Sequence, residues 1–179
     1  PDLLFLIYDT IQEYKPNVIV EAGSGVSTLI SAYSLKKISQ GQIISLDHDK
    51  HFSSIVKSEI DKHSLNDYAQ VLHAPLISYP KNKFQWYDIK GLDEIDKIDL
   101  LTIDGPPVNS SNNARYPALP LLFEKLHEGS IIIIDDANRT YEREIFKMWK
   151  NEFNNIEFNY IENSKGACII KKIGGRNGR

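Results

Sequence analysis

The chain has 179 residues, enough for one domain with a substantial core and short of the length expected of two. Hydrophobic residues make up 41% and charged residues 25%, which excludes disordered and fibrous classes, and 21 basic against 24 acidic residues (net charge -3) lack the basic excess that phosphate backbones demand, so no nucleic-acid partner is expected. The longest apolar runs fall far short of the roughly 20 residues of a membrane span, and a single cysteine, Cys168, fits a reducing compartment, so a cytoplasmic protein with no membrane partner is expected.

Residues 1–15 predict a leading helix, with Leu3, Leu4, Ile7, Tyr8 and Ile11 on one stripe. Val18-Ile19-Val20 is the first of four continuous apolar runs; the others are Ile43-Ile44 with Leu46, Leu100 to Ile103, and Ile131 to Ile134. Continuous rather than alternating runs predict strands covered on both faces, hence a parallel sheet. Helical spacing recurs between them: Val26, Leu29, Ile30 and Tyr33 after the first, then Phe52 to Ile60 after the second. Gln70 to His73 predicts a strand toward the sheet edge, while residues 75–97, with Pro80, follow no clear period; Trp86 and Tyr87 there either line an acceptor pocket or pack a loop, with packing favoured.

Arg115 to His127 predicts a helix with Leu119, Leu122, Phe123 and Leu126 on its stripe. Pro117 and Pro120 fall in its first turn, where a missing N–H costs nothing, and Gly129 is expected to end it ahead of the Ile run. Tyr141, Ile145, Met148, Trp149 and Phe153 outline a last helix. Ile156 to Tyr160, a turn at Asn163 to Gly166, and Ala167 to Ile170 predict an antiparallel hairpin. Residues 1–173 thus form one domain and 174–179 a disordered tail; nothing sets the oligomeric state, and a homodimer is compatible with the pattern.

Each of the four buried runs is closed by an acidic residue: Glu21, Asp47, Asp104 and Asp135. Ligands of an open α/β sheet bind outside the carboxyl ends of its strands, so these carboxylates are expected around one cleft, although any one of them alone reads equally well as a turn or cap residue. Glu21-Ala22-Gly23-Ser24-Gly25-Val26-Ser27-Thr28 supplies a tight glycine turn ahead of a helix N-terminus, and Asp47, 24 residues after Gly23, stands where a carboxylate meets ribose hydroxyls in a Rossmann-like unit. Thr28 stands where a dinucleotide fingerprint has its third glycine, and no Tyr-x-x-x-Lys pair is evident, which disfavours a nicotinamide oxidoreductase. A carboxylate-rich cleft suits a cationic ligand such as S-adenosylmethionine better than a pyrophosphate.

Through E-A-G-S-G at 21–25, I-S-L-D at 44–47, L-L-T-I-D-G-P-P at 100–107 and I-I-I-I-D-D at 131–136, the chain resembles the class I S-adenosylmethionine-dependent methyltransferases over nearly its whole length. The resemblance implies a Rossmann-like, doubly wound seven-stranded sheet, mostly parallel with an antiparallel last strand and helices on both faces. It implies methyl transfer to a small-molecule acceptor, through oxygen. Glu21, Gly23 and Gly25 would meet the methionine part, with Ser24, Ser27 and Thr28 beside them, and Asp47 the ribose. His48 either covers the adenine or is an exposed loop residue. At His73-Ala74-Pro75 the family's acidic adenine ligand is missing, which leaves a backbone group at Ala74.

A narrower resemblance, to metal-dependent O-methyltransferases of the catechol type, implies a magnesium site at Asp104, Asp135 and Asp136. The chain departs from that pattern in having Asp136 where the family has Asn, and a glycine loop shorter by two residues. Without the metal, Asp136 caps the following helix and Asp104 braces the turn Gly105-Pro106-Pro107. With no basic neighbour in sequence, the three aspartates call for a cation, either magnesium or the cofactor's own charge; in the second case Asp104 or Asp135 serves as general base or meets that charge. Arg115, Tyr116 and Arg139 are placed on the cleft side, either to bind an anionic acceptor or, for Arg139, to pair with Glu142 or Glu144. The alternative from another class is a catalytically silent cofactor-binding or interaction domain.

Overall fold

The computed structural model describes residues 2–79, 84–107, 113–162 and 165–174. A leading helix α1 (Asp2–Tyr14) precedes β1 (Val18–Ala22), α2 (Val26–Ile38), β2 (Gln42–Asp47), α3 (Lys50–Lys62) and β3 (Ala69–His73). There follow β4 (Leu76–Tyr79), β5 (Phe84–Tyr87), β6 (Ile98–Ile103), α4 (Ala118–Leu122), β7 (Leu126–Asp135), α5 (Thr140–Glu152), β8 (Ile156–Ile161) and β9 (Ala167–Lys172). Pro80 and the turn residues Asn163 and Ser164 lie outside the described residues, as does the expected tail beyond Gly174.

Seven strands form one sheet in the order β3-β2-β1-β6-β7-β9-β8. Neighbours from β3 to β7 pair in parallel, and β9 is antiparallel to both β7 and β8. Each strand feeds two cores because alternate side chains point to opposite faces. Ile19, Ile43, Leu100, Ile131 and Ile133 pack with Ile7 and Ile11 of α1, Leu35 of α2 and Val56 and Ile60 of α3. Their neighbours Val20, Ile44, Leu101, Ile132 and Ile134 pack with Leu119 and Leu122 of α4 and with Ile145, Phe146 and Trp149 of α5. The strand order reverses between β1 and β6, so a crevice opens at their carboxyl ends, where Glu21, Asp104 and Asp135 stand. No helix among the described residues is long and apolar enough to cross a membrane.

Three expectations need correction. The helix expected over Arg115 to His127 shrinks to α4 and a 3-10 turn (Phe123–Lys125), and Gly129 lies inside β7. Pairing of Ile98 with Leu126 outcompetes the helical continuation; the register then jumps to Leu100 with Ile131, and Gly129 (φ 93°) takes up the extra residues. Ser130 locks this bulge, its hydroxyl donating to Ile98 O (2.7 Å) and accepting from His127 N (2.8 Å).

The α2 stripe also faces the wrong way: Val26 and Tyr33 are exposed, and the buried side carries Ser27, Thr28, Ser31 and Ala32. The helix starts directly under the glycine turn, so its first two turns admit only small side chains against the sheet, and Leu35 enters the core only in the third. Finally, residues 75–97 contain a two-stranded sheet, β4 against β5 in register Leu76 with Tyr87, which buries Trp86 and Tyr87.

Candidate active site

The turn after β1 is built for close approach. Gly23 has φ 99°, and a Cβ on it would sit 3.1 Å from Gly105 N, so the loops after β1 and β6 touch through their backbones. A Cβ on Gly105 would collide with the Tyr87 hydroxyl. Glu21, 1% exposed, lies behind this turn and accepts hydrogen bonds at Oε2 from the hydroxyls of Thr28 (2.5 Å) and Ser45 (2.5 Å). Thr28, the residue that breaks the three-glycine fingerprint, thus braces a buried carboxylate, while accepting from Gly25 N at 3.0 Å. Burial pushes the Glu21 carboxyl up to about 7 against the pull of the Ser27, Ser45 and Thr28 hydroxyls. Its second oxygen, Oε1, is buried with no hydrogen-bond partner among the described residues.

Asp47 closes β2 and is nearly buried. It accepts from Ser24 Oγ (2.5 Å) and Ser24 N (3.2 Å) at one oxygen and from Asp49 N (2.9 Å) at the other. Gly23, Ser24, Asp47, His48 and Asp104 border a cavity of about 450 Å³, completed by Phe52, Tyr87 and Gly105. The His48 ring lies edge-on to Tyr87 (6.1 Å between centroids). Burial, then the charge of Asp47, lifts the Tyr87 phenol well above its usual range, so it stays a neutral hydroxyl.

The structure thus brings five of the ten sequence-predicted cofactor residues, Gly23, Ser24, Asp47, His48 and Asp104, to one cavity, with Glu21 and Thr28 directly behind its glycine turn, Gly25 at the N-cap of α2 and Ser27 buried in the first turn of that helix. Ala74 does not join them. It is buried, donates its N–H to Asp47 O (2.7 Å), and lines instead a separate cavity of about 570 Å³ along β3, next to Lys57 and Asp88. That second cavity is larger but lacks both the glycine turn and the clustered carboxylates.

Asp104, Asp135 and Asp136 do converge: one carboxylate oxygen from each lies within 4.8 Å of the others. The sequence-level expectation of a cation among them is met by Arg115, which is 4% exposed. Its Nη2 donates to Asp104 O (2.6 Å), Asp136 Oδ2 (3.2 Å) and Asp104 Oδ1 (3.3 Å), and its Nη1 to Asp135 O (2.9 Å). Nη1 also lies 3.4 Å from Glu142 Oε1, and Arg139 Nη1 reaches Asp136 Oδ2 at 2.9 Å. Burial raises the Asp135 and Glu142 carboxyls; Asp136 and Asp104 push Asp135 further, while Arg115 pulls Glu142 back.

Arg115 is therefore consumed by its own cluster rather than offered to an anionic acceptor, and Arg139 pairs with Asp136 instead of Glu142 or Glu144. The Tyr116 hydroxyl donates to Glu152 (2.6 Å). Asp136 does not cap α5 through its side chain; Arg139 holds the N-cap position. Whether the three aspartates fit magnesium turns on this guanidinium. It bonds two of them and both strand-end carbonyls, and so fills the positive role that the donor set otherwise calls for.

Sequence reasoning missed Phe52 and Gly105 in the cavity wall and Glu142 in the cluster, while Tyr87, read as a pocket or packing residue, is both buried and in the cavity wall. For Glu142 a signal existed: with Ile145, Phe146 and Trp149 it forms an i, i+3, i+4, i+7 stripe, which places a charge on the buried face of α5.

The methyltransferase-domain family matches residues 20–137, from the middle of β1 to just past the acidic cluster. The chain belongs to that family. The methyltransferase is also similar in fold to solved structures that cover nearly all of it. One is a methyltransferase from Geobacter sulfurreducens (13% identity, TM-score 0.72, 97% of this chain and 79% of that one). Another is an O-methyltransferase from Bacillus cereus in complex with SAH (15%, 0.73, 96% and 81%). A third is the O-methyltransferase TomG from Streptomyces achromogenes, involved in tomaymycin synthesis, in complex with SAM (11%, 0.74, 97% and 80%). At such identities the shared property is the fold. No curated protein matches the methyltransferase.

Proposed function

We propose that this methyltransferase transfers the methyl group of S-adenosylmethionine to an oxygen of a small-molecule acceptor. The observation that carries the reading is the juxtaposition at one sheet crevice of a glycine turn, the strand-end carboxylate Asp47 and the carboxylate cluster at the ends of β6 and β7. When bound, the cofactor supplies a methyl already activated by its sulfonium, so the chain's task is alignment and proton removal.

Asp47 keeps lone pairs free beyond those used by Ser24 and Asp49, and these would accept the ribose hydroxyls. Glu21 Oε1, orphaned behind the glycine turn, would take a donor from the methionine end. His48 and Phe52 flank the cavity beyond Asp47 and suit a flat base. Asp104 borders the cavity with its side chain about half exposed, and Asp135 lies next to it. Burial makes Asp135 more basic than a free carboxylate, which suits it to accept the acceptor's proton as the oxygen attacks.

Calorimetry tests the reading. S-adenosylhomocysteine is expected to bind and NAD not to. In Asp47→Ala the loss of two charged hydrogen bonds is expected to weaken binding about 10-fold to 150-fold, roughly 1.5–3 kcal/mol, with the fold intact by circular dichroism. Tight NAD binding with no response to S-adenosylhomocysteine would overturn the reading.

A further inference from the structure

We infer that Arg115 is the built-in cation of the carboxylate cluster at the ends of β6 and β7, and that this centre holds no divalent metal. The inference rests on reading this crevice as the methyl-transfer site and says what balances its charge.

The geometry leaves little alternative use for the guanidinium. Nη2 stands between Asp104 and Asp136, at 3.3 and 3.2 Å from their carboxylate oxygens, which is the space an ion shared by them would need. The same group is anchored through the carbonyls of Asp104 (2.6 Å) and Asp135 (2.9 Å), so it is tied to both strand ends and cannot swing aside without stranding a buried cation. Glu142 holds it from the α5 side. Asp136 is engaged twice at one oxygen, by Arg115 and by Arg139 at 2.9 Å.

A magnesium ion requires close, near-octahedral oxygen ligation at about 2.0–2.1 Å and would arrive beside a fixed positive charge. To ligate it through Oδ2, Asp136 would have to release both arginines. Asp136 Oδ1 and Glu142 Oε2 are buried without partners among the described residues. They are acceptors in reserve, and a divalent ion would reach them only if Arg115 were gone. Arg115 is thus a positioning residue: it sets the spacing of the β6 and β7 ends and fixes Asp104 and Asp135 without touching the reacting atoms.

Manganese, whose free-ion resonance disappears on binding, is the probe. Titrated into the wild-type protein, alone and with S-adenosylhomocysteine, Mn²⁺ is expected to keep its free-ion signal at stoichiometric concentration. Arg115→Lys keeps a cation and is expected to behave the same way. Arg115→Met strips the guanidinium from the Asp104, Asp136 and Glu142 carboxylates, leaving Asp136 only Arg139, and is expected to bind Mn²⁺ at least about tenfold more tightly than wild type, with a melting temperature that rises on adding the metal.

Stoichiometric Mn²⁺ binding by the wild type, abolished in Asp135→Asn, would overturn the inference. So would an Arg115→Met protein that is as stable as wild type and equally indifferent to Mn²⁺. If Arg115→Met does not fold, the wild-type and Arg115→Lys titrations decide. Failure of the methyltransferase reading would show separately, as absent S-adenosylhomocysteine binding with the Mn²⁺ results unchanged.

Discussion

Two groups of carboxylates, buried except for Asp104, lie side by side in this crevice, and they are compensated by different chemistry. Around the glycine turn, Glu21 and Asp47 are held by neutral donors: the hydroxyls of Thr28, Ser45 and Ser24 and the backbone N–H groups of Ser24 and Asp49. At the ends of β6 and β7, Asp104, Asp136 and Glu142 are held by guanidinium groups. Neutral donors orient a carboxylate without adding a positive charge, so the first group keeps acceptor capacity for a cationic ligand. A guanidinium brings a positive charge of its own, so Asp104, Asp136 and Glu142 are already paired before any ligand arrives. Burial raises a carboxyl in both groups: Glu21 goes up to about 7 against hydroxyls alone, and Glu142 is also raised, with the Arg115 charge opposing part of the shift.

The largest effect that would break this contrast is removal of the guanidinium. Arg115→Met deletes one partner of a buried ionic network and leaves its carboxylates facing one another, a class of change that costs about 3–5 kcal/mol. Urea denaturation of wild type and variant should show a loss of that size. A loss under about 1 kcal/mol would place the cluster among surface ion pairs and remove the distinction drawn between the two groups.

The second effect is a pH dependence read at Glu21, in the neutral-donor group. In the unfolded chain Glu21 ionises near 4.5, but in the folded protein it holds its proton up to about 7. Between those limits the native state binds more protons, so its stability is fully present below pH 4.5 and declines as pH rises to about 7. The total is of order 3 kcal/mol. Glu21→Gln keeps the shape and needs no ionisation, and the Thr28 and Ser45 hydroxyls can rotate to serve an amide. Subtracting its stability-pH curve from the wild-type curve should give a slope across this window and none above it. Parallel curves would mean that Glu21 ionises normally.

The two groups also differ in how far they were legible in the chain. The neutral-donor group is carried by short segments with their own signals: a glycine turn closing one apolar run, and an aspartate closing the next. Parallel pairing of β1 with β2, Glu21 opposite Ser45, then brings those segments together. The cluster around Arg115 has no such local mark. Its three aspartates are visible as strand ends, but the arginine precedes a short helix whose position depends on Leu126 joining β7, and Glu142 arrives from α5. Elements were readable where both faces are apolar, as in β1 and β7. They were misread where small residues make the buried face, as in α2, and where partner pairing overrides helical spacing, as at Leu126.

The smallest predicted effect tests whether neutral donors matter beyond orientation. Ser24 offers Asp47 two hydrogen bonds, a hydroxyl at 2.5 Å and an N–H at 3.2 Å, and Ser24→Ala removes only the first. Asp47 borders the cavity, so water can replace the lost donor, and the expected cost in stability is about 1 kcal/mol or less. If Asp47 is the ribose ligand, the same variant should weaken S-adenosylhomocysteine binding by less than about tenfold, because the carboxylate remains and only its aim is relaxed. Asp47→Ala must then cost more than Ser24→Ala. Were the two variants equally impaired in calorimetry, the serine hydroxyl itself would be the contact and Asp47 its support, which would reverse the order of roles at the glycine turn.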